Sequence, residues 1–231
     1  NNSDPWNIYL LEVISQQTQL DRADKYFKKF INEFPTPNDM ATTSFKKILE
    51  IWSGLGYNSR AKRMFDSSKI IAEKSFDGLY PNFQQLPGVG PYTENAILSF
   101  AYNEKVITQD VNVKRIISRY FGVDNPRKYI DAISPLLLKN TNSRKLNQAL
   151  MDFGSSICKP RSPLCLDCPL EDTCDKYFNF ETKPSEKFSG SNREIRGNLI
   201  KLLLKKGALK VKTIQQELDT DKDRLNEVLE K

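Results

Sequence analysis

All four cysteines of the 231-residue chain lie within one segment of seventeen residues, at Cys158, Cys165, Cys168 and Cys174. Thiolate sulfur binds both zinc and iron, so this set indicates a metal site. Structural zinc usually takes its ligands from two close cysteine pairs, and only Cys165 and Cys168 form a close pair here. The spacing favours one 4Fe-4S cluster, with zinc as the rival and two disulfides as a further alternative.

Histidine is absent from the chain. Its absence excludes every mechanism that uses imidazole as a base, a nucleophile or a metal ligand, and with them most hydrolases. The chain carries 35 lysines and arginines against 29 aspartates and glutamates, a formal net charge of +6. This balance favours a polyanionic partner, although an ordinary solvated basic surface would produce it as well.

Two carboxylates stand at positions where an acid or a charge could act. Glu12 interrupts an apolar helical run over residues 8–14, and Gln16 follows one turn later on the same face. A solvated helix face explains this pattern equally well. Asp110 directly precedes another run with helical periodicity, and by itself it is best explained as the N-cap of that helix.

A glycine-rich stretch precedes a further helix start. It reads Leu86, Pro87, Gly88, Val89, Gly90, Pro91, Tyr92 and Thr93. Small residues at this point let backbone N–H groups approach a ligand closely, and a helix N-terminus favours a phosphate. Two nearby glycines more often mark an ordinary turn, so by themselves they are weak evidence for a phosphate site.

The elements that must position these residues are predicted to be helices. Apolar residues recur at helical spacing along most of the chain, whereas the alternation typical of strands is almost missing. Prolines and glycines between the periodic runs delimit about six helices before residue 105. The predicted fold class is all-α, with two lobes and a small C-terminal appendage.

The domain organisation is predicted as four consecutive segments. Residues 1–104 form a six-helix domain with the glycine-rich stretch, and residues 105–180 form the domain with the cysteines. Residues 181–194, rich in Lys, Ser, Glu and Gly, form an exposed linker. Residues 195–231 are helical again, and the alternation at Leu209 and Val211 suggests part of a winged helix, with a small helical cap as the alternative.

The cysteine segment, residues 151–174, resembles the cluster loop of the endonuclease III superfamily of DNA glycosylases, and residues 86–93 resemble its helix-hairpin-helix. The resemblance implies a 4Fe-4S cluster with a structural role that aids DNA contact. Lys159 and Arg161 beside the cluster then become candidate phosphate contacts, with solvated loop charges as the alternative. In the hairpin, the residues expected to grip the DNA backbone without reading sequence are Leu86, Gly88, Val89, Gly90 and Thr93.

The distance from the hairpin to Asp110 also matches this superfamily, in which the aspartate at this place assists loss of the base. A carboxylate at a helix N-terminus is favoured in its charged form. It can stabilise the positive sugar that develops as the glycosidic bond breaks.

Residues 10–20 and 52–61 are similar to motifs of adenine DNA glycosylases of the MutY type. The resemblance implies that Glu12 is the general acid. An apolar neighbourhood would raise the pKa of its carboxyl group, so that it could protonate the purine leaving group near neutral pH. The resemblance also places Tyr57 as the aromatic wedge beside the mispaired purine and Gln17 as the residue that fills the gap left by a flipped base. Gln16 and Arg60 are further expected DNA contacts within these motifs.

Position 92 distinguishes two reaction types. Strand-cleaving members of the superfamily carry a lysine here that forms a Schiff base with the sugar, whereas this chain has Tyr92. The resemblance therefore implies a monofunctional glycosylase acting on double-stranded DNA with a mispaired or damaged base. Lys105 and Lys114 are nearby in sequence, and the sequence leaves them open as amine nucleophiles.

The chain departs from the MutY pattern in three places. Val111 stands where glycine is usual, the chain begins inside the first family motif, and only about fifty residues follow the cluster loop where a Nudix-like domain would be expected. A thymine or uracil glycosylase acting on T:G or U:G mismatches is therefore kept as an alternative. A non-catalytic mismatch or damage binder is another, which the retention of Glu12 and Asp110 disfavours; a redox electron carrier would leave the hairpin unexplained.

Overall fold

The structure is a computed structural model, and it describes residues 3–178 and 188–230. Within these ranges the chain forms twelve α-helices and no β-strand, which confirms the all-α fold class. The helices are α1 (Pro5–Ser15), α2 (Leu20–Glu33), α3 (Pro37–Thr42), α4 (Phe45–Trp52), α5 (Ser59–Leu79), α6 (Pro91–Phe100), α7 (Val111–Phe121), α8 (Pro126–Leu137), α9 (Ser143–Ser156), α10 (Asn192–Lys206), α11 (Val211–Leu218) and α12 (Lys222–Leu229). None of those described combines the length and the apolar character that crossing a bilayer requires.

Several helices begin where a short polar side chain accepts a hydrogen bond from the first turn. Thr36 and Asp39 form a reciprocal capping box at α3, and Asn142 and Asp221 cap α9 and α12. At α6 the first residue is Pro91, whose fixed φ and missing N–H suit that position. The helix boundaries therefore follow from local chemistry that the sequence already displays.

The chain forms two compact units that are discontinuous in sequence. The first unit contains Asn1–Val13 and Lys74–Thr182, and the second contains Ile14–Glu73 and Lys183–Lys231. The boundaries fall inside α1 and α5, and α5 is interrupted near its end by the left-handed backbone of Ser75. The sequence-based division was into consecutive segments. Changes in composition along a chain do not reveal which distant segments pack together in the fold.

The first unit is built around two groups of apolar side chains. One lies among α7, α8 and α9 and contains Ile107, Val113, Ile117, Ile130 and Leu138. The other is aromatic, with the ring of Phe76 6.4 Å from that of Tyr9 and 6.0 Å from that of Phe83. These cores fix α1, α6 and α7, the helices that carry the candidate catalytic residues.

The second unit contains α2, α3 and α4 together with the C-terminal helices. The ring of Phe30 on α2 packs edge-on against Trp52 on α4 at 5.8 Å. Helices α10, α11 and α12 enclose a small core of their own, formed by Leu199, Ile214, Leu225 and Val228, and α10 contacts α4. The C-terminal helices thus pack onto this unit.

Two details of the C-terminal part differ from the sequence-based expectation. Val211 is the first residue of α11, so its alternation with Leu209 does not form a strand; two apolar positions are too few to specify one. Of the expected linker, residues 181–187 lie outside the described residues, whereas Asn192 already begins α10.

Candidate active site

Glu12 and Tyr92 meet within the first unit. Glu12 projects from α1 and is partly buried, and Tyr92 is the second residue of α6. The Tyr92 hydroxyl lies close enough to the Glu12 carboxyl to lower the pKa of that carboxyl. The residue expected to stand in place of a catalytic lysine therefore lies beside the expected general acid.

The expected rise in the pKa of Glu12 is confirmed. Burial of the carboxyl, with a smaller contribution from the negative charge of Asp110, raises its pKa from 4.5 to about 7, against the opposite effect of the Tyr92 hydroxyl. Burial and the nearby charge of Glu12 raise the pKa of Tyr92 well above its ordinary value. Tyr92 therefore remains a neutral hydrogen-bond donor, while Glu12 can hold a proton near neutral pH.

Asp110 caps α7, as its position alone suggested. Its Oδ1 accepts a hydrogen bond of 2.7 Å from the N–H of Val113, and its Oδ2 accepts one of 2.9 Å from Asn112 Nδ2. Both contacts hold the carboxylate in one orientation. Since its charge acts on both Glu12 and Tyr92, the three side chains form one electrostatically coupled group.

A hydrogen-bonded connection that the sequence motifs did not reveal joins Asp110 to the cysteine segment. Asn112 contacts Asp110 and also accepts a hydrogen bond of 2.7 Å from Arg115 Nη2. The buried Arg115 guanidinium donates in turn to the carbonyl groups of Cys158 and Gly154, at 2.9 and 2.7 Å. Gly154 is required here, because an added Cβ would lie 2.6 Å from Asn112 Cβ.

The four cysteine side chains line one pocket in the first unit, between the end of α7, the end of α9 and the loop that follows it. Its other walls are mainly apolar, from Ile116, Tyr120, Phe153, Ile157, Pro163, Leu164, Leu170 and Phe178. Among the described residues, no three cysteine, aspartate or glutamate side chains converge closely enough to hold a single metal ion. The cysteines are therefore neighbours around a shared space.

Arg119 fastens the cysteine loop to α7. Its buried guanidinium donates to the carbonyl groups of Lys159 and Pro160, at 2.7 and 3.0 Å, and to Cys158 Sγ at 3.5 Å. The backbone N–H of Lys176 lies 3.4 Å from Cys174 Sγ. Arg115 and Arg119 are spaced four residues apart on α7, a pattern that could have indicated their shared face. Arg161, the other expected phosphate contact, is exposed.

The hairpin is held mainly by buried side chains. Leu86, Val89 and Thr93 are buried, so their side chains anchor the hairpin and are not presented to a ligand. Gly88 is exposed and has a φ of 82°, which favours glycine, and Gly90 precedes the first turn of α6. The first N–H groups of a helix have no partner within it, which leaves them available to an anion.

Arg60 differs from its expected role. Only 6% of the residue is exposed, and its guanidinium donates to the carbonyl groups of Ile14, Gln16, Leu55 and Gly56 in the second unit. Burial lowers its pKa to about 10, so it stays charged at neutral pH. Because these acceptors occupy the guanidinium, Arg60 joins two loop segments and is not presented to a phosphate.

The two segments joined by Arg60 carry the remaining expected DNA contacts. Gln17 is exposed and has a φ of 53°, and Tyr57 has a φ of 47°. Tyr57 is 44% exposed, and the Arg60 guanidinium lies 5.7 Å from the centroid of its ring. Gln16 is partly buried, and its backbone carbonyl is one of the acceptors of Arg60. With φ in the left-handed region, neither Gln17 nor Tyr57 belongs to a regular helix.

Residues 10–138 match the family model described as HhH-GPD superfamily base excision DNA repair protein. The chain belongs to this superfamily. Curated relatives named adenine DNA glycosylase confirm the resemblance to that branch of the superfamily. The protein of Buchnera aphidicola (strain Bp) is 37% identical over 76% of this chain and 52% of its own length, and that of Mycolicibacterium smegmatis is 31% identical over 86% and 71%. The human relative is 32% identical over 72% of this chain and 32% of its own. The chain thus spans about half the length of several relatives that it matches.

Solved structures agree with the family. A thermostable thymine-DNA glycosylase matches with a TM-score of 0.66 and 28% identity, covering 76% of this chain and 85% of that one. A trapped endonuclease III–DNA covalent intermediate matches with a TM-score of 0.62, covering 75% and 84%; at 23% identity it supports the fold alone.

Proposed function

We propose that this HhH-GPD chain is a monofunctional DNA glycosylase of base excision repair that removes adenine paired with 8-oxoguanine or guanine. The observation that carries the proposal is the contact between the Glu12 carboxyl, whose pKa is raised to about 7, and the neutral Tyr92, with the Asp110 carboxylate acting on both. The curated relatives named adenine DNA glycosylase support the choice of base.

In this proposal the two carboxyl groups act in different protonation states. Protonated Glu12 transfers its proton to the adenine as the bond between the base and sugar C1′ breaks. The oriented Asp110 carboxylate stabilises the positive charge that develops on the sugar. Water then adds to C1′, a proton returns to Glu12, and the strand remains intact. Tyr92 offers no amine for a Schiff base, which is the basis for proposing no strand cleavage.

The cysteine pocket is proposed to hold one 4Fe-4S cluster. The four thiols line one pocket with mainly apolar walls, and the guanidinium of Arg119 and the N–H of Lys176 lie near sulfur atoms, as suits clustered thiolates. When bound, such a cluster supplies a covalent cross-link of the loop. The chain's own contribution is to present Lys159 and Arg161 toward DNA phosphates.

DNA binding is proposed to use the hairpin for the backbone and the second unit for the base pair. The backbone of Gly88 and Gly90 and the first turn of α6 would bind a phosphate. Gln17 would enter the gap left by the flipped adenine, and the exposed ring of Tyr57 would wedge beside the pair, with Gln16 nearby. A DNA substrate implies an intracellular protein, and the bacterial relatives favour the cytoplasm or nucleoid of a prokaryote.

Removal of thymine or uracil opposite guanine is the second candidate. It is favoured by the similarity to the thymine-DNA glycosylase structure and by Val111, a bulky residue that is 70% exposed next to Asp110. A side chain at this place would narrow the space beside the carboxylate, so it bears directly on which base is accepted.

End-labelled duplexes containing A opposite 8-oxoguanine, A opposite G, T opposite G or U opposite G distinguish these functions. Strand breaks are scored with and without hot alkali, using protein reconstituted with iron and sulfide. Breaks only after alkali, only on the adenine duplexes and lost in Asp110→Asn, are the expected result. Breaks on the T:G or U:G duplexes would favour the second candidate. Binding without breaks on any duplex would make the chain a mismatch binder.

A further inference from the structure

Helix α10 contacts the ring of Tyr57 through one side chain. Arg193 Nη1 donates a hydrogen bond of 2.8 Å to the Tyr57 hydroxyl, and the guanidinium carbon lies 5.8 Å from the ring centroid. The two residues are 136 positions apart in the chain and both belong to the second unit. None of the sequence motifs includes Arg193, so its place beside the proposed wedge follows only from the fold.

The turn that carries Arg193 is anchored at several points. Arg224 of α12 donates from Nε to Asn192 Oδ1 at 3.1 Å and from Nη2 to the carbonyl of Gly190. The N–H of Gly190 donates to Glu194 Oε2 at 2.6 Å. Arg193, the second residue of α10, therefore extends from a fixed helix start and not from a free loop end.

Tyr57 is a residue that needs such support. Its φ of 47° lies in the left-handed region, which is unfavourable for a bulky side chain, and 44% of the residue is exposed. A half-exposed ring has few packing contacts to restrict its rotation. The buried Arg60 guanidinium lies 5.7 Å from the ring centroid, and Arg193 binds the hydroxyl at the other end of the side chain.

We propose that Arg193 is a positioning residue for Tyr57, and that through it the C-terminal helices help the protein to discriminate between bases opposite the excised adenine. The inference rests on the proposed role of Tyr57 as the wedge. A ring already held in one orientation loses less entropy when DNA binds. The effect should fall on affinity and on opposite-base preference, because the residues of the bond-breaking step, Glu12 and Asp110, belong to the first unit.

Three variants of the full chain separate this role from general electrostatics. Arg193→Met removes the donor and the charge but keeps an unbranched side chain, and Arg193→Lys keeps a charged donor. Lys201→Met removes one charge from an exposed position of the same helix and is the matched control. Dissociation constants are measured on duplexes with a non-cleavable adenosine analogue opposite 8-oxoguanine or guanine, and single-turnover rates on the cleavable counterparts. Circular dichroism checks that each variant is folded.

Arg193→Met is expected to weaken binding opposite 8-oxoguanine by about 3- to 10-fold, the range of one net hydrogen bond, and to reduce the preference over guanine. Arg193→Lys should lose less, and single-turnover rates at saturation should change little. Combined with Tyr57→Phe, the loss should be smaller than the sum of the separate losses, because both changes remove the same bond. An unchanged preference in Arg193→Met, or an equal loss in Lys201→Met, would overturn the proposal. If the unaltered protein removes no adenine, the proposed function fails instead.

Discussion

The Tyr92 hydroxyl lies beside the carboxyl of Glu12 and opposes the rise in the Glu12 pKa that burial causes. The two effects together leave the pKa at about 7, where a carboxylic acid can both hold and release a proton at neutral pH. Strand-cleaving members of the superfamily are expected to carry lysine at this position. The tyrosine found here instead lowers the pKa of Glu12.

Substitution of Tyr92 by phenylalanine should move the alkaline limb of the pH–rate profile. In the unaltered protein, the single-turnover rate of adenine removal should fall as the pH rises through about 7, because Glu12 loses its proton. Tyr92→Phe removes the hydroxyl that lowers the Glu12 pKa, so the fall should occur at higher pH. Tyr102→Phe, which removes a phenol bonded to Asp77, is the control and should leave the profile in place. An identical limb in Tyr92→Phe would mean that another group controls the rate.

Glu12 should also make the fold less stable at alkaline pH. Its folded pKa of about 7 exceeds its ordinary value of 4.5, so the native state binds the proton more tightly than the unfolded chain does. Its contribution is therefore fully present below about pH 4.5 and is lost as the pH rises through about 7. Glu12→Gln should remove this loss, which amounts to up to about 3 kcal/mol at pH 8. Thermal unfolding at pH 5 and pH 8 tests this, and an equal shift of Tm at both values would contradict it.

Two substitutions of Asp110 should separate its structural role from its proposed catalytic role. Asparagine can still accept the hydrogen bond from the Val113 N–H and is as good an N-cap as aspartate, so Asp110→Asn should keep the stability of α7. Asp110→Ala should lose about 1 kcal/mol of stability. Both should slow adenine removal by about 10²-fold or more, because the charge is gone in each. Excision at the normal rate in Asp110→Asn would restrict Asp110 to capping.

The sequence was sufficient for features whose partners are local or follow a motif. The four cysteines share a pocket as their spacing indicated, and the N-cap position of Asp110 follows from the helix pattern after it. The pKa of Glu12 could be anticipated because an apolar run surrounds it in α1. For the cysteines and Asp110 the determining neighbours lie within a few turns of the chain, whereas the influence of Tyr92 and Asp110 on Glu12 arises from the tertiary fold.

The hydrogen-bond partners of Arg60 and Arg193 could not be predicted from the sequence. Arg60, in a motif of the family, was expected to contact DNA, yet its guanidinium donates a hydrogen bond to the carbonyl of Ile14, 46 positions away. Arg193 reaches Tyr57 across 136 positions from a segment with no motif. A guanidinium has the same local signature whether it ends at a phosphate, a carbonyl or a ring, so only the tertiary fold determines which of these it meets.

Arg119 should control how firmly the cysteine loop retains its proposed cluster. Arg119→Met keeps a long apolar stem in the buried site, but it leaves the carbonyl groups of Lys159 and Pro160 without their donor and removes the guanidinium from Cys158 Sγ. Each buried acceptor left without a partner costs about 1–3 kcal/mol, so the loop should loosen. Iron and acid-labile sulfide per chain should fall, and the remainder should be lost faster to a chelator. Lys128→Met, at an exposed position of α8, is the charge-matched control and should retain its iron. If Arg119→Met kept its full iron content and lost it to the chelator as slowly as the unaltered protein, the cysteines alone would hold the loop.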